Sequence, residues 1–152
     1  MNYIDPLQLQ IFGQLALSVL LGSFIGIERT LAHRIAGFRT FAMVSLGACL
    51  FVVISDIAYA MFSTSTAFDP SRIASQVVVG IGFLAGGSII FNKEHLQGLT
   101  TSAGLWVAAG IGMAVGFQLY AIAIFVTILT LLIFGLFWQF ERRLLILREH
   151  EE

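Results

Sequence analysis

Between Thr101 and Gln139 the chain carries no charged side chain. At about 1.5 Å per helical residue, that run is about twice as long as a hydrocarbon core of about 30 Å requires. One straight helix cannot use it, so the run predicts a tight hairpin of two membrane spans. The turn belongs near Gly116–Tyr120, where Gln118 is the only strongly polar residue. Composition points the same way. Of 152 residues, 58% are hydrophobic and 11% charged, against about 45–50% and about 25% in soluble domains. There is too little polar surface to cover a water-soluble globule.

Three further apolar runs precede the hairpin. Span one is predicted at about Leu9–Ile27, span two at Thr40–Phe62 and span three at Ser71–Phe91. Span four then covers about Thr101–Val115 and span five about Leu119–Trp138. The loop "STSTAFDPS" ends in a helix-start signal. Asp69 can cap free N–H groups, and Pro70 suits a first helical position that needs no N–H. "NKEHLQGL" reads as a polar loop, and "FERRLLILREHEE" as a helix leaving the bilayer. The expected class is an all-α polytopic bundle of five transmembrane helices. Residues 1–140 form the membrane domain, and 141–152 a short tail. No Lys or Arg precedes the first run, and no small-residue cleavage site follows it, so the first span is expected to be retained.

Five spans put the termini on opposite sides. With the N-terminus outside, the inner segments hold Arg29, Arg34, Arg39, Lys93, Arg142, Arg143 and Arg148, and only Arg72 falls outside. Seven against one sets the expected orientation, with the C-terminus inside. Tyr59, Tyr120 and Trp138 fall near span ends, where interfacial aromatics belong.

Small residues recur at spacings of four: Ser18, Gly22 and Gly26 in span one, Ala74, Gly82 and Gly86 in span three, and Gly104, Ala108, Gly112 and Gly116 in span four. In lipid such stripes let backbones approach closely. Packing within the chain is the expected use, with a homodimer face on span four the alternative. "GIGFLAGG", residues 80–87, lacks the flanking strand and the later acid of a dinucleotide fingerprint. It reads as helix packing, or as a local break exposing backbone to a cavity. Cys49, the single cysteine, sits inside an apolar run and reads as a packing residue.

Chemistry has few places to live. Asp56 lies inside span two toward its outer end, and a carboxylate there is costly unless paired or hydrated. Arg72 is its candidate partner, with Gln76 one turn along span three. Asp56, Arg72 and Gln76 form either a structural lock or an outer polar site, with Asp56 the candidate metal residue. Magnesium needs one or two carboxylates, but no second acid lies in any span. His33, His95 and His150 lie in separate segments without ligand spacing. No nucleophile constellation is present, so an enzyme is not expected. At the inner mouth, Thr100 or Thr101 can cap span four. That helix N-terminus, with Arg29 and Arg39 nearby, suits an anion or lipid phosphate.

Three blocks carry a further signal. "GSFIGIERTLAHRIAGFRTFAMVSLGACLF", "DPSRIASQVVVGIGFLAGGSII" and "GLTTSAGLWVAAGIGMAVGFQLYAIA" resemble, in order, the signature blocks of the MgtC/SapB family of bacterial inner-membrane proteins. The match covers roughly residues 15 to 123. It singles out Gly22, Gly26, Glu28, Arg29, Ala36, Gly37, Arg39 and Thr40 in the first block. In the second it singles out Asp69, Arg72, Ile73, Gln76, Gly80, Gly82, Phe83 and Leu84. In the third it takes Gly98, Leu99, Thr100, Thr101 and Trp106. Ala85-Gly86-Gly87 stands where the family reads Gly-Ala-Gly. Larger members carry a cytoplasmic C-terminal domain, and functions that need it are not expected of this stretch.

The resemblance implies a role in growth under magnesium limitation and, for virulence-associated members, survival inside macrophages. It also implies regulation of other membrane proteins, including the ATP synthase, and of phosphate uptake. The leading expectation is therefore a non-enzymatic inner-membrane regulator of ion and energy homeostasis acting through helix contacts. A magnesium or other cation transporter with Asp56 in the pathway is the alternative. Membrane lipid and other inner-membrane proteins are the expected partners, without nucleic acid and without a cofactor other than Mg2+ in the transporter reading. Glu28, Arg29, Arg39, Thr40, Thr100 and Thr101 form the expected cytoplasmic polar cluster, in which Glu28 pairs with Arg29 or Arg39.

Overall fold

The computed structural model describes residues 5–62, 69, 71–92 and 95–148. Five helices account for most of them: α1 (Pro6–Leu31), α2 (Phe38–Phe62), α3 (Ser71–Gly87), α4 (Leu99–Gly116) and α5 (Tyr120–Arg148). A small antiparallel hairpin, β1 (Ile90–Asn92) and β2 (His95–Gln97), joins α3 to α4. Helix α4 packs against all four others, and α1 and α2 pack closely on each other. α1, α2 and α4 are long and apolar enough to cross a bilayer; α3 and the first part of α5 are shorter apolar helices.

Local chemistry fixes the ends. Asp5 accepts a hydrogen bond from the Leu7 N–H at 3.3 Å, and Pro6 opens α1. This is the same cap-then-proline signal expected at span three, here found at the start of α1. Arg72 N–H donates to the Asp69 carbonyl at the start of α3; Pro70 lies outside the described residues. Helix α1 stops where His33 takes a left-handed backbone, φ 53. The α4–α5 turn falls at Phe117–Leu119, with Gln118 at φ 62, inside the predicted window. The tail helix continues α5 without a break to Arg148.

Two boundaries differ from expectation. Span three ends at Gly87 rather than Phe91, because the chain turns into β1. Span four starts at Leu99, with Gly98 at φ 94 as its N-cap and no side-chain cap. A Cβ on Gly98 would strike the Ser88 carbonyl, so that turn requires glycine. Ser102 and Ser88 stitch the junction. Ser102 Oγ lies 2.6 Å from the Ala85 carbonyl and 2.7 Å from Ser88 Oγ.

The glycine stripes of spans one and four do the closest packing. A Cβ on Gly22 would stand 2.7 Å from the Phe41 carbonyl oxygen and 2.8 Å from Ser45 Cβ. On Gly26 it would stand 2.6 Å from Phe38 Cα. On Gly112 it would strike the Ser45 carbonyl, and on Gly116 it would stand 2.7 Å from Val52 Cβ. Gly104 makes room for the rings of Phe134 and Phe41. α2 is therefore clamped between α1 and α4, over a core centred on Ile25, Phe41, Cys49 and Ile111. The α4 stripe is occupied by the chain's own helices, so it presents no open dimer face. Gly82 and Gly86 differ: both are exposed, and a Cβ on either would meet nothing within 4 Å. Among the described residues, Gly82 and Gly86 of the span-three stripe make no close packing contact.

Gly112→Ala is expected to lower thermal stability in detergent by about 1–3 kcal/mol, because backbone must move to admit the methyl. Gly110, on the same helix but with nothing within 4 Å of a Cβ, is the control. Gly110→Ala is expected to be neutral or to gain up to about 1 kcal/mol from helix propensity.

Candidate functional site

The polar residues gather at the end of the bundle where α1 turns into α2. Thr30, near the end of α1, closes that turn. Its hydroxyl accepts from the Phe38 N–H at 2.9 Å and donates to the Gly26 carbonyl at 2.9 Å. A Cβ on Gly37 would collide with Thr30 Oγ1, which explains a glycine there. Sequence reading missed Thr30, although a threonine eight residues before a helix start can serve as its cap.

Arg29 is the centre of the site. It is 2% exposed. Its Nη2 donates to Glu28 Oε1 at 2.6 Å, and its Nε donates to Glu28 Oε2, a bidentate pair. The guanidinium carbon lies 3.7 Å from the centroid of the Phe134 ring of α5. A cation over an aromatic face gains electrostatic attraction, more so when desolvated. Phe134 is itself buried and abuts Gly104. Arg29 thus ties α1 to α5 and, through the Phe134 contact, to α4. Of the two partners expected for Glu28, it takes Arg29; Arg39 is exposed.

The remaining members of the expected inner cluster divide between two faces. Thr100 and Thr101 line a cavity of about 480 Å³ with Gln97, Gly98, His33 and Arg34. The basic residues at the start of α4 are therefore His33 and Arg34, where Arg29 and Arg39 were expected. Neither Thr100 nor Thr101 is the cap, because Gly98's left-handed turn starts the helix before them. Thr101 is 3% exposed and Thr100 is exposed. Thr40 lies elsewhere, in a groove between α2 and α3. Lys93 and His150 lie outside the described residues, as do the side chains of His95, Trp138, Arg142, Arg143 and Arg148.

The outer trio separates as well. Arg72 and Gln76 share one face of α3 and line that α2–α3 groove. Asp56 is exposed on α2. Among the described residues, the ion pair formed is Glu28–Arg29, and Asp56 does not pair with Arg72. The reason is angular. The groove face of α2 runs through Thr40, Val44, Gly47, Ala48 and Phe51, and helical periodicity carries it on to position 55. Asp56 stands a further 100° or so around the helix. Among the described residues, no three of His, Cys, Asp or Glu gather to hold a metal.

Gln14 was also missed. Buried at 4% exposure, it donates to the Gly116 carbonyl at 3.0 Å and stands 3.3 Å from that of Val115. It satisfies the carbonyls at the end of α4 across the bundle. A lone buried amide between apolar neighbours was the available signal.

Fold and site together define a helical membrane protein whose buried charge fastens helices to one another. The comparisons place it further. A profile of the MgtC family matches residues 15–143, and the chain belongs to that family. It is 37% identical over 134 residues to "Putative magnesium transporter YhiD" of Escherichia coli K12, covering 87% of this chain and 62% of that protein. It is 41% identical over 114 residues to "Protein MgtC" of Salmonella typhimurium strain 14028s, covering 75% and 46%. An uncharacterised Haemophilus influenzae protein is 39% identical over 131 residues, covering 84% and 55%. The chain thus spans roughly half the length of these curated relatives. Comparison with solved structures finds no significant match.

Two outcomes follow from the geometry. Glu28→Ala leaves a buried guanidinium without its carboxylate. Breaking a fully buried pair costs about 3–5 kcal/mol, and the Glu28 side chain is 27% exposed, so a smaller loss is expected. Adding Arg29→Met should recover part of it, which thermal melts of single and double variants would read. Asp56→Leu is expected to leave the melting temperature in detergent unchanged, since no buried cation loses a partner.

Proposed function

We propose that this chain is a non-enzymatic, multi-pass protein of the bacterial inner membrane, tied to magnesium homeostasis, that regulates partner membrane proteins through helix contacts. The relatives named above support the magnesium link. Five spans are supported by length: α3, at 17 residues, reaches the lower end of the spanning range of about 17–25, and α5 is longer. The arginine and lysine bias supports an outer N-terminus and an inner C-terminus.

The observation that carries the regulatory reading is the contrast between interior and surface. The α1–α2–α4 seam is closed backbone to backbone, and its buried arginine is held by Glu28 and Phe134. Helix α3 instead turns Val79, Phe83 and Leu84 outward, with Phe83 85% exposed. An interior given to packing and an apolar outward helix suit contact with another membrane helix.

The name of the Escherichia coli relative favours a second reading, magnesium transport. Purified protein in liposomes separates the two. The regulatory reading expects no magnesium flux, and a photo-crosslinker at Val79 or Phe83 should capture a membrane protein in cells. Flux that Asp56→Asn abolishes, without such a crosslink, would establish the transporter instead.

A further inference from the structure

The groove between α2 and α3 has a volume of about 820 Å³. Its walls contain Gly47 of α2 and Gly80 of α3, and a Cβ on either would meet nothing within 4 Å. By contrast, Gly22, Gly26 and Gly112 abut neighbouring backbone. Gly47 and Gly80 border space that the described residues leave open.

The polarity of the groove is graded. At the start of α3 it carries the guanidinium-bearing Arg72 and, one turn on, the amide of Gln76. Beyond them the α3 lining is apolar as far as Leu84. The groove follows α3 from Arg72 to Leu84 and α2 from Thr40 to Phe51, a cation at the start of α3 followed by a long apolar lining. That pattern calls for an occupant with an anion at one end and hydrocarbon along its length. A phospholipid with an anionic headgroup matches both halves. Its phosphate can take charge-assisted hydrogen bonds from Arg72 at the membrane edge. Its acyl chain can lie over Gly80 and Gly47 and regain the dispersion contacts an open groove forgoes.

We infer that the α2–α3 groove binds one anionic phospholipid, with its headgroup at Arg72 and Gln76 and an acyl chain along Gly47 and Gly80. The site requires only that the bundle is embedded in a bilayer, so it stands whether the protein regulates or transports.

The probe is phosphatidylglycerol, with phosphatidylcholine as the neutral reference. Each is titrated into protein purified in mild detergent and read by native mass spectrometry. The wild type is expected to retain phosphatidylglycerol in preference, by about tenfold for a contact of about 1.4 kcal/mol. Arg72→Gln should erase the preference while leaving residual binding of both lipids. Gly47→Leu with Gly80→Leu should remove binding of both, because the new side chains enter open space and fill the groove. Circular dichroism checks that each variant is folded, and if the double leucine variant is not, Arg72→Gln decides alone. Equal retention of both lipids by wild type, or a preference that survives Arg72→Gln, overturns the inference. So does a leucine variant that keeps its lipid but loses a self-associated species, which would make a second copy of the chain the occupant.

Discussion

The close approach of α4 to α2 at Gly112 and Ser45 governs the rest of the bundle. Lipid tails are as apolar as leucine, so burying hydrocarbon drives little association inside a membrane. Helices must gain from contact itself, and contact improves as backbones come together. Gly112 meets the backbone of Ser45, and Gly22 meets the same residue from α1. Three helices therefore cross one small side chain. That crossing has a cost: Ser45 Oγ is buried and has no hydrogen-bond partner among the described residues. The seam tolerates it because a side chain no larger than serine fits between two glycines.

With that seam fixed, the ends of the bundle are closed by polar contacts that cross between helices. Gln14 reaches from α1 to the last carbonyls of α4 at one end. At the other, Arg29 spans α1 and α5, and Thr30 binds the first N–H of α2. Ser102 and Ser88 join α4 to α3 there. Each polar group satisfies backbone or charge that would otherwise be stranded near hydrocarbon, where an unmet hydrogen bond costs several kcal/mol.

Much of this architecture was legible in the sequence. An uncharged run too long for one helix forced the α4–α5 hairpin, and the polar breaks placed α1, α2 and α3 to within a few residues. The glycines at 22, 26, 104, 112 and 116 announced close helix contacts by spacing alone. What spacing cannot give is direction. Gly82 and Gly86 have the same period, but no described residue packs against them. Asp56 and Arg72 sit toward adjoining ends of α2 and α3 in the sequence, but Arg72 lines the α2–α3 groove and Asp56 does not. The β-hairpin was hidden because three-residue strands carry no periodicity, and its glycine, Gly98, is explained only by the Ser88 carbonyl beside it. Gln14 and Thr30 were hidden because their partners are backbone groups, which no residue pattern marks.

The arginines of the first polar block show why identity and depth must be separated. A cation beside a span end can bias orientation through its charge alone, and Arg34 and Arg39 are both exposed. Arg29 lies five residues before Arg34 but is almost wholly buried, where a charge is costly unless its donors are met. Glu28 meets two of them in the plane of the guanidinium, and Phe134 covers its face. A lysine could not reproduce that arrangement, because a compact ammonium lacks the planar fork and the stacking surface. Position 29 therefore demands arginine for its shape, whereas its neighbours need only its charge. The same distinction applies to Arg72. Arg72 lies at the edge of an open groove and forms no ion pair among the described residues, so its planar cation is free of the packing demand that fixes Arg29.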